Sequence, residues 1–327
     1  MPNGSIRMAK IVKEGTGNCL LNALTEQLQP FSKHLFNAKW QHQQYKDVST
    51  NIPVNSVVFC MDFAENYTSR PQDAPQGCHW NNQQTTIHPI VASYVCQENQ
   101  CNKIVTDSIV FVSADLTHDH HAVQHFYSQA VQLLQSEDIH FDKVIAFSDG
   151  APTQYKNRIA FADCSNAATD LSIQSERHFF GSRHGKGVIK KSVTRAVAAR
   201  QVDVLVAADF FQMCSTRLQL PPPNVEHSHT KRRFVYVDCG SINRDRPDRT
   251  NTRSVPNTQK IHCVRGIQPF TVSARERSCF CAVCRGNEDG LCKFSDLAGV
   301  WSSTLMKPKS CRDKRVVLFI LDKVNKC

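Results

Sequence analysis

No run in this chain approaches the ~20 consecutive apolar residues that a membrane-spanning helix requires, and its first residues lack the apolar core of a secretory signal. The expectation is a soluble, intracellular protein with no membrane partner. A strong imbalance of composition is missing too. Apolar residues make up 41 % and charged residues 21 %, which excludes a disordered, highly charged chain and a fibrous one. A disulfide framework is also absent: the 15 cysteines are odd in number, mostly scattered singly, and spread over 327 residues, so they read as thiols.

The net charge of +10 becomes informative when located along the chain. Residues 1–230 carry 19 Lys and Arg against 20 Asp and Glu, a net of −1; residues 231–327 carry 20 against 9, a net of +11. A basic region of this kind suits phosphate-backbone binding, because neutralised phosphates release counterions. A solvated basic surface that aids solubility is the alternative.

Apolar spacing predicts a helix over residues 18–47, kinked or broken by Pro30. Strands are expected at Val57–Met61, Ile90–Val95, Ile109–Val112, Val144–Phe147 and His178–Gly181. Helices are expected at His121–Leu134, irregularly over 152–174, at Val188–Ala199 and at Val202–Leu218. Pro221-Pro222-Pro223 reads as a linker, with further strands at Arg233–Val237, Lys260–Val264, Phe270–Ala274 and Val316–Leu321. The resulting fold class is α/β: an RNase H-like core in the order β-β-β-α-β-α-β-α, followed by a small basic, Cys-rich region. The expected division is a helical segment 1–52, a core with its following helix 53–220, and a C-terminal region 221–327.

Two acids close strands of this core: Asp62 ends the first and Asp149 the fourth. In the expected topology those strands are neighbours, so both carboxylates emerge at one end of the sheet. Adjacent carboxylates repel unless a cation lies between them, and an all-oxygen site suits Mg²⁺ or Mn²⁺. Two such ions about 4 Å apart hold both the attacking and the leaving oxygen of a phosphodiester. Against this, strand-terminal Asp is a common turn starter, and Asp149-Gly150 is a typical turn pair.

Asp62-Phe63-Ala64-Glu65-Asn66-Tyr67, Ser148-Asp149-Gly150 with Gln154-Tyr155-Lys156, and the stretch Phe180–Gly187 containing His184-Gly185-Lys186 together resemble a transposon-derived family scattered through invertebrate genomes. The Ser278-Cys279-Phe280-Cys281 motif, with Cys284 and Cys292, resembles the tail of the same family. The resemblance spans roughly residues 30–295. It implies an RNase H-like, DDE-type transposase core whose metal site is built from three acids. The chain departs from that pattern where the third acid belongs, since Val188–Ala199 contains no Asp or Glu. Asp203 lies beyond the expected place and Glu176 before it; Glu65 and Asp115 are the accessory candidates. His184 and Lys186, between glycines, are either phosphate contacts or a solvated turn.

Cys279, Cys281, Cys284 and Cys292 fall within 14 residues, a density that suits a closed, structural Zn²⁺ site. His262 or Cys263 is an alternative fourth ligand. The run His118-Asp119-His120-His121 reads better as a helix cap than as a metal site. The polar segment Glu65–His88, with Arg70, Gln72, Gln76, His79, Trp80, Asn81 and Gln83, is either a DNA-end contact or a surface loop.

The sequence therefore points to a transposase-derived DNA-binding protein with an incomplete metal-dependent strand-transfer site. A non-catalytic DNA- or protein-binding descendant is the rival, and a nuclease related only by fold a third reading. A nuclear location follows from the DNA role, a cytoplasmic one without it, and self-association is left open.

Overall fold

The computed structural model describes residues 12, 14–69, 83–98, 101–180, 204–222, 225, 227–286, 288 and 290–307. Within them the chain is a mixed α/β structure built on a single large sheet. The strands are β1 Ser56–Met61, β2 Tyr67–Thr68, β3 Gln84–Val95, β4 Ile104–Ser113, β5 Lys143–Ser148, β6 Gln174–Phe179, β7 Thr230–Val237, β8 Cys263–Gln268, β9 Thr271–Arg275 and β10 Ser302–Leu305. The helices are α1 Gly17–Thr50, α2 His120–Ser136, α3 Arg158–Leu171, α4 Ala207–Arg217 and the single turns α5 Pro247–Thr250, α6 Ala282–Arg285 and α7 Ser295–Ala298.

The sheet runs in the order β10-β9-β8-β6-β5-β1-β3-β4-β7, with β2 paired off this path to β3. β1, β3 and β4 pair antiparallel in turn. β5 then adds to the other side of β1 in parallel, and β6 adds to β5 in parallel. The chain after Pro222 supplies both outer parts of the sheet: β7 lies parallel to β4, and β8 lies antiparallel to β6 and carries β9 and β10.

Side chains that alternate along a strand explain the layering. Val57, Phe59, Val144 and Ala146 face one way and pack with Phe126, Tyr127, Phe161 and Ala162 of α2 and α3. Val58, Ile145 and Phe147 face the other way, against Val48 and Tyr45 of α1. On that same side, Val110 and Val112 of β4 pack with Phe210, Met213 and Cys214 of α4. Gly266 in β8 lies so close to the backbone oxygen of Cys164 in α3 that any side chain there would collide with it, and the strand carries a bulge at this point.

Three expectations need correction. Helix α1 is not broken at Pro30, one of the two expected outcomes there, but continues to Thr50; this half of the helix is exposed, so water can satisfy the carbonyl that loses its ladder bond. The last core strand begins at Gln174 rather than His178. Its polar residues hid it: Glu176 binds Lys143 at 2.8 Å, and the Arg177 guanidinium stacks 3.8 Å from the Tyr127 ring centre. The polar segment after Glu65 is not all loop, because Gln84–His88 belong to β3. The helix at Val188–Ala199, the strand at Val316–Leu321, and Arg70, Gln72, Gln76, His79, Trp80 and Asn81 lie outside the described residues.

The charge split along the sequence is not a split in space. Arg233 pairs with Asp107 and Glu137, and Arg244 with Asp115 and Asp119 at 2.8 Å each. Arg246 forks onto Asp163 with contacts of 2.7 and 3.0 Å, and Arg249 reaches both Asp163 and Asp170. Arginines of the basic third thus neutralise acids of the first two thirds. Asp163 is buried and bound by two guanidiniums, so its loss leaves two charges poorly compensated. Replacing it by Ala is expected to cost about 3–5 kcal/mol of unfolding free energy in urea titrations. A loss below about 1 kcal/mol, the size of an exposed pair, would show that Asp163 holds little together.

Candidate functional site

The parallel register of β1 and β5 builds the first candidate site. Val58 pairs with Ile145 and Cys60 with Phe147, so the next step along both strands sets Asp62 beside Asp149. Adjacent strands lie about 4.8 Å apart, within reach of one shared cation. Both residues are half-buried at the same end of the sheet. The Asp62 carboxyl is pushed up to about 6, first by burial and then by the negative charge of Asp149. One Asp149 oxygen accepts the Ala151 amide at 3.0 Å, so the turn-forming role of this residue coexists with the other.

Beneath the two acids lies a buried pair that the sequence did not single out. Tyr155 is buried and its hydroxyl lies 3.0 Å from Nε2 of the fully buried His88. Burial, reinforced by Asp62 and Asp149, holds the Tyr155 phenol well above its usual range. Burial also drives the His88 imidazole down to about 3, so the ring is neutral. The Gln154-Tyr155-Lys156 motif held the signal for Tyr155; His88 sits in a strand where nothing marks it. Lys156 is half-buried, with its amine donating to the Gln259 carbonyl at 2.9 Å, and burial lowers it to about 8.

The accessory candidates separate. Asp115 lies two residues beyond β4, at the same end of the sheet as Asp62, but its carboxylate is taken by Arg244 and by the Thr117 amide, both at 2.8 Å. Glu65 is exposed and lines an open groove with Phe63, Asn66 and His118. Glu176 is committed to Lys143 and His178 and lies inside the sheet. His184, Lys186 and Asp203 lie outside the described residues. In the histidine run, Asp119 caps α2 by accepting the Ala122 amide at 2.8 Å. His118 stacks flat on Phe63, with ring centres 4.1 Å apart.

The second candidate site is the cysteine cluster. The sulfurs of Cys279, Cys281, Cys284 and Cys292 all lie within 4.8 Å of one another, and those of Cys279 and Cys292 are 3.6 Å apart. Cys279 is buried and the other three are half-buried. The single turn α6 carries Cys284 back over Cys281, and Gly286 ends it with φ of +80°, a conformation that favours glycine. Four thiolates at this separation can hold a tetrahedral metal such as zinc and leave no open position. His262 and Cys263 are not in the set. His262 Nδ1 faces the Glu276 carbonyl at 2.9 Å, and Cys263 is buried in β8.

Helix α1 holds this cluster in place by a polar ladder. Asn37, Trp40, Gln41 and Gln44 recur on one helical face and engage successive backbone or side-chain groups of Arg277, Ser278 and Phe280. The contacts include Trp40 Nε1 to the Ser278 carbonyl at 2.7 Å and the Ser278 amide to Gln41 at 2.9 Å.

Because folding raises the Asp62 carboxyl from 3.8 to about 6, the folded state holds its proton more tightly than the unfolded chain. Its contribution to stability is full below pH ~4 and is lost as pH rises through about 6. In chelator-treated protein, Asp62→Asn is therefore expected to melt higher than the parent at pH 7.5, with the gap closing toward pH 4. A gap equal at both pH values would show that the acid is not destabilised by its site.

No curated protein and no solved structure matches the chain. One family model, described as Domain of unknown function (DUF8701), matches residues 41–278, from the docked end of α1 through both acids to the residue before the cysteine cluster. With most of its length matched, the chain belongs to this DUF8701 family.

Proposed function

We propose that this is a transposase-derived, DNA-binding protein whose core is RNase H-like and whose phosphodiester-cleaving site is incomplete. The observation that carries the reading is the pairing of Asp62 and Asp149 at adjacent ends of the parallel strands β1 and β5. The strand order supports it: β4-β3-β1-β5-β6 combines an antiparallel meander with two parallel additions, the arrangement expected of that core. In this reading Asp62 and Asp149 hold Mg²⁺ or Mn²⁺, and the ion relieves the repulsion that raises Asp62. The chemistry it supplies is polarisation of a phosphodiester and activation of water. Tyr155 and His88 brace the floor of the site as a neutral hydrogen-bonded pair. The cysteine cluster holds a structural zinc that fixes the segment docked on α1.

Incompleteness rests on two facts. The sequence from Val188 to Ala199 offers no acid, and Asp115 is neutralised by Arg244. Those facts equally favour a second reading, in which the protein binds DNA without cutting it and the two Asp residues are remnants. Phosphate attraction also draws on less than the full +11 of the last third, since Arg233, Arg244, Arg246 and Arg249 already face acids. A nuclear place of action goes with the DNA role.

The test combines binding and cleavage on the full chain. Duplex DNA binding is expected to weaken steeply with salt, by a slope of about 0.9 per phosphate contacted. Incubation with Mn²⁺ on duplex and pre-nicked DNA is expected to give little or no cutting. Calorimetric titration should show Mn²⁺ binding that disappears in Asp149→Ala. Strong cutting abolished by Asp149→Ala would mean that another acid, with Glu65 first in line, completes the site. Absence of both DNA and Mn²⁺ binding would end the proposal.

A further inference from the structure

A second set of metal-type ligands lies at the other end of the sheet from Asp62 and Asp149. Cys96 directly follows β3, and Cys101 sits in the short connection before β4. That connection is closed by the Cys96 amide on the Lys103 carbonyl at 2.9 Å and the Cys101 amide on the Glu98 carbonyl at 2.8 Å. His227 and His229 lie just before β7, and the His229 carbonyl accepts the Thr106 amide of β4 at 2.8 Å. Parallel pairing of β7 with β4 therefore delivers both imidazoles to the two thiols. The ligand atoms of all four residues lie within 4.8 Å of one another.

We propose that Cys96, Cys101, His227 and His229 form a zinc site that clamps the β3–β4 hairpin to the entry of β7. A tetrahedral zinc with bonds of about 2.0–2.3 Å needs ligand atoms roughly 3.3–3.8 Å apart. In the structure the two Nε2 atoms are 3.0 Å apart, and Cys101 Sγ is 3.1 Å from Nε2 of His229. A spread of a few tenths of an ångström would seat the ion.

The imidazole chemistry points the same way. His227 Nδ1 meets the Glu98 carboxylate at 2.6 Å. A ring that donates from Nδ1 has its lone pair on Nε2, and that is the atom turned toward Cys101 and His229. A carboxylate behind a metal-bound histidine orients the ring and raises its basicity. Two imidazole nitrogens facing each other repel unless a proton or cation lies between them. No carboxylate is among the four ligands, and thiolate with imidazole selects zinc over Mg²⁺ or Ca²⁺. With four protein ligands the site is closed and its role structural. It ties residues 128 positions apart, and it binds only the folded arrangement, so its metal affinity adds to stability.

The inference is independent of the DNA-binding proposal, because it rests on no residue of that site. The test is the zinc content of the full chain, purified with zinc and a phosphine reductant and then desalted. Two zinc per chain are expected, one for each four-ligand group. Cys101→Ser and His229→Asn should each remove one equivalent, Cys284→Ser the other, and Cys101→Ser with Cys284→Ser both. An unchanged zinc content in Cys101→Ser, or zinc lost only through Cys284→Ser, would overturn the proposal. Should the variants not fold, alkylation of the parent chain read by mass spectrometry decides. Zinc should slow iodoacetamide modification of Cys96 and Cys101 by about tenfold or more relative to chelated protein, since bound thiolates are shielded. Equal rates with and without zinc would overturn it.

Discussion

The parallel pairing of β1 with β5 is the constraint on which the rest of the molecule depends. A parallel pair cannot be closed by a tight turn, so the chain must leave β1, build β3 and β4, and return through α2 before β5 can form. That excursion supplies β2, β3 and β4 and one of the helices that cover the sheet. The pairing also buries Val57, Val58, Phe59, Val144, Ile145 and Phe147 on both faces at once, which requires helices on each side. The same register sets Asp62 beside Asp149 at the strand ends. Fold and candidate site therefore share one cause.

Around this centre the outer elements are attached by apolar packing, with Val237, Val264, Val272 and Met306 in the main core, and also by polar chemistry. The near-neutral first two-thirds of the chain and the basic last third are interlocked through Asp107, Asp115, Asp119, Asp163 and Asp170. Such pairs add little net energy compared with apolar packing, but they penalise every misplacement, because a buried charge without its partner is costly. The polar ladder from α1 to the segment at Ser278 acts in the same way on the cysteine cluster. The apolar face of the N-terminal half of α1 is used differently: Leu20, Leu21, Leu24, Leu28 and Phe31 stay exposed among the described residues.

Much of the layout was legible in the residues. The strands at Val57, Ile90, Ile109 and Val144 are apolar, short and bounded by turn formers, so their pattern survives without tertiary help. The neighbouring placement of Asp62 and Asp149 was also within reach, since it follows from element order once β1 and β5 are known. The four clustered cysteines carried their own signal through spacing. Less was visible where polar side chains are satisfied inside the protein. Of the strand Gln174–Phe179 only the end from His178 was visible, because Glu176 and Arg177 find their partners only after folding.

By itself the sequence determined the apolar strands and the longer helices, where two acids end strands, and that four cysteines stand close enough to converge. These are local properties, set by side-chain period, turn chemistry and short separations. Tertiary structure alone decided the rest. It turned a basic third into partners for distant acids, bound Asp115 to Arg244, and set His88 under Tyr155. It also brought Cys96 and Cys101 to His227 and His229 across more than a hundred residues. The reason is that charge, hydrogen bonding and metal ligation are satisfied between atoms near in space. Their separation along the chain says nothing until the sheet has chosen its neighbours.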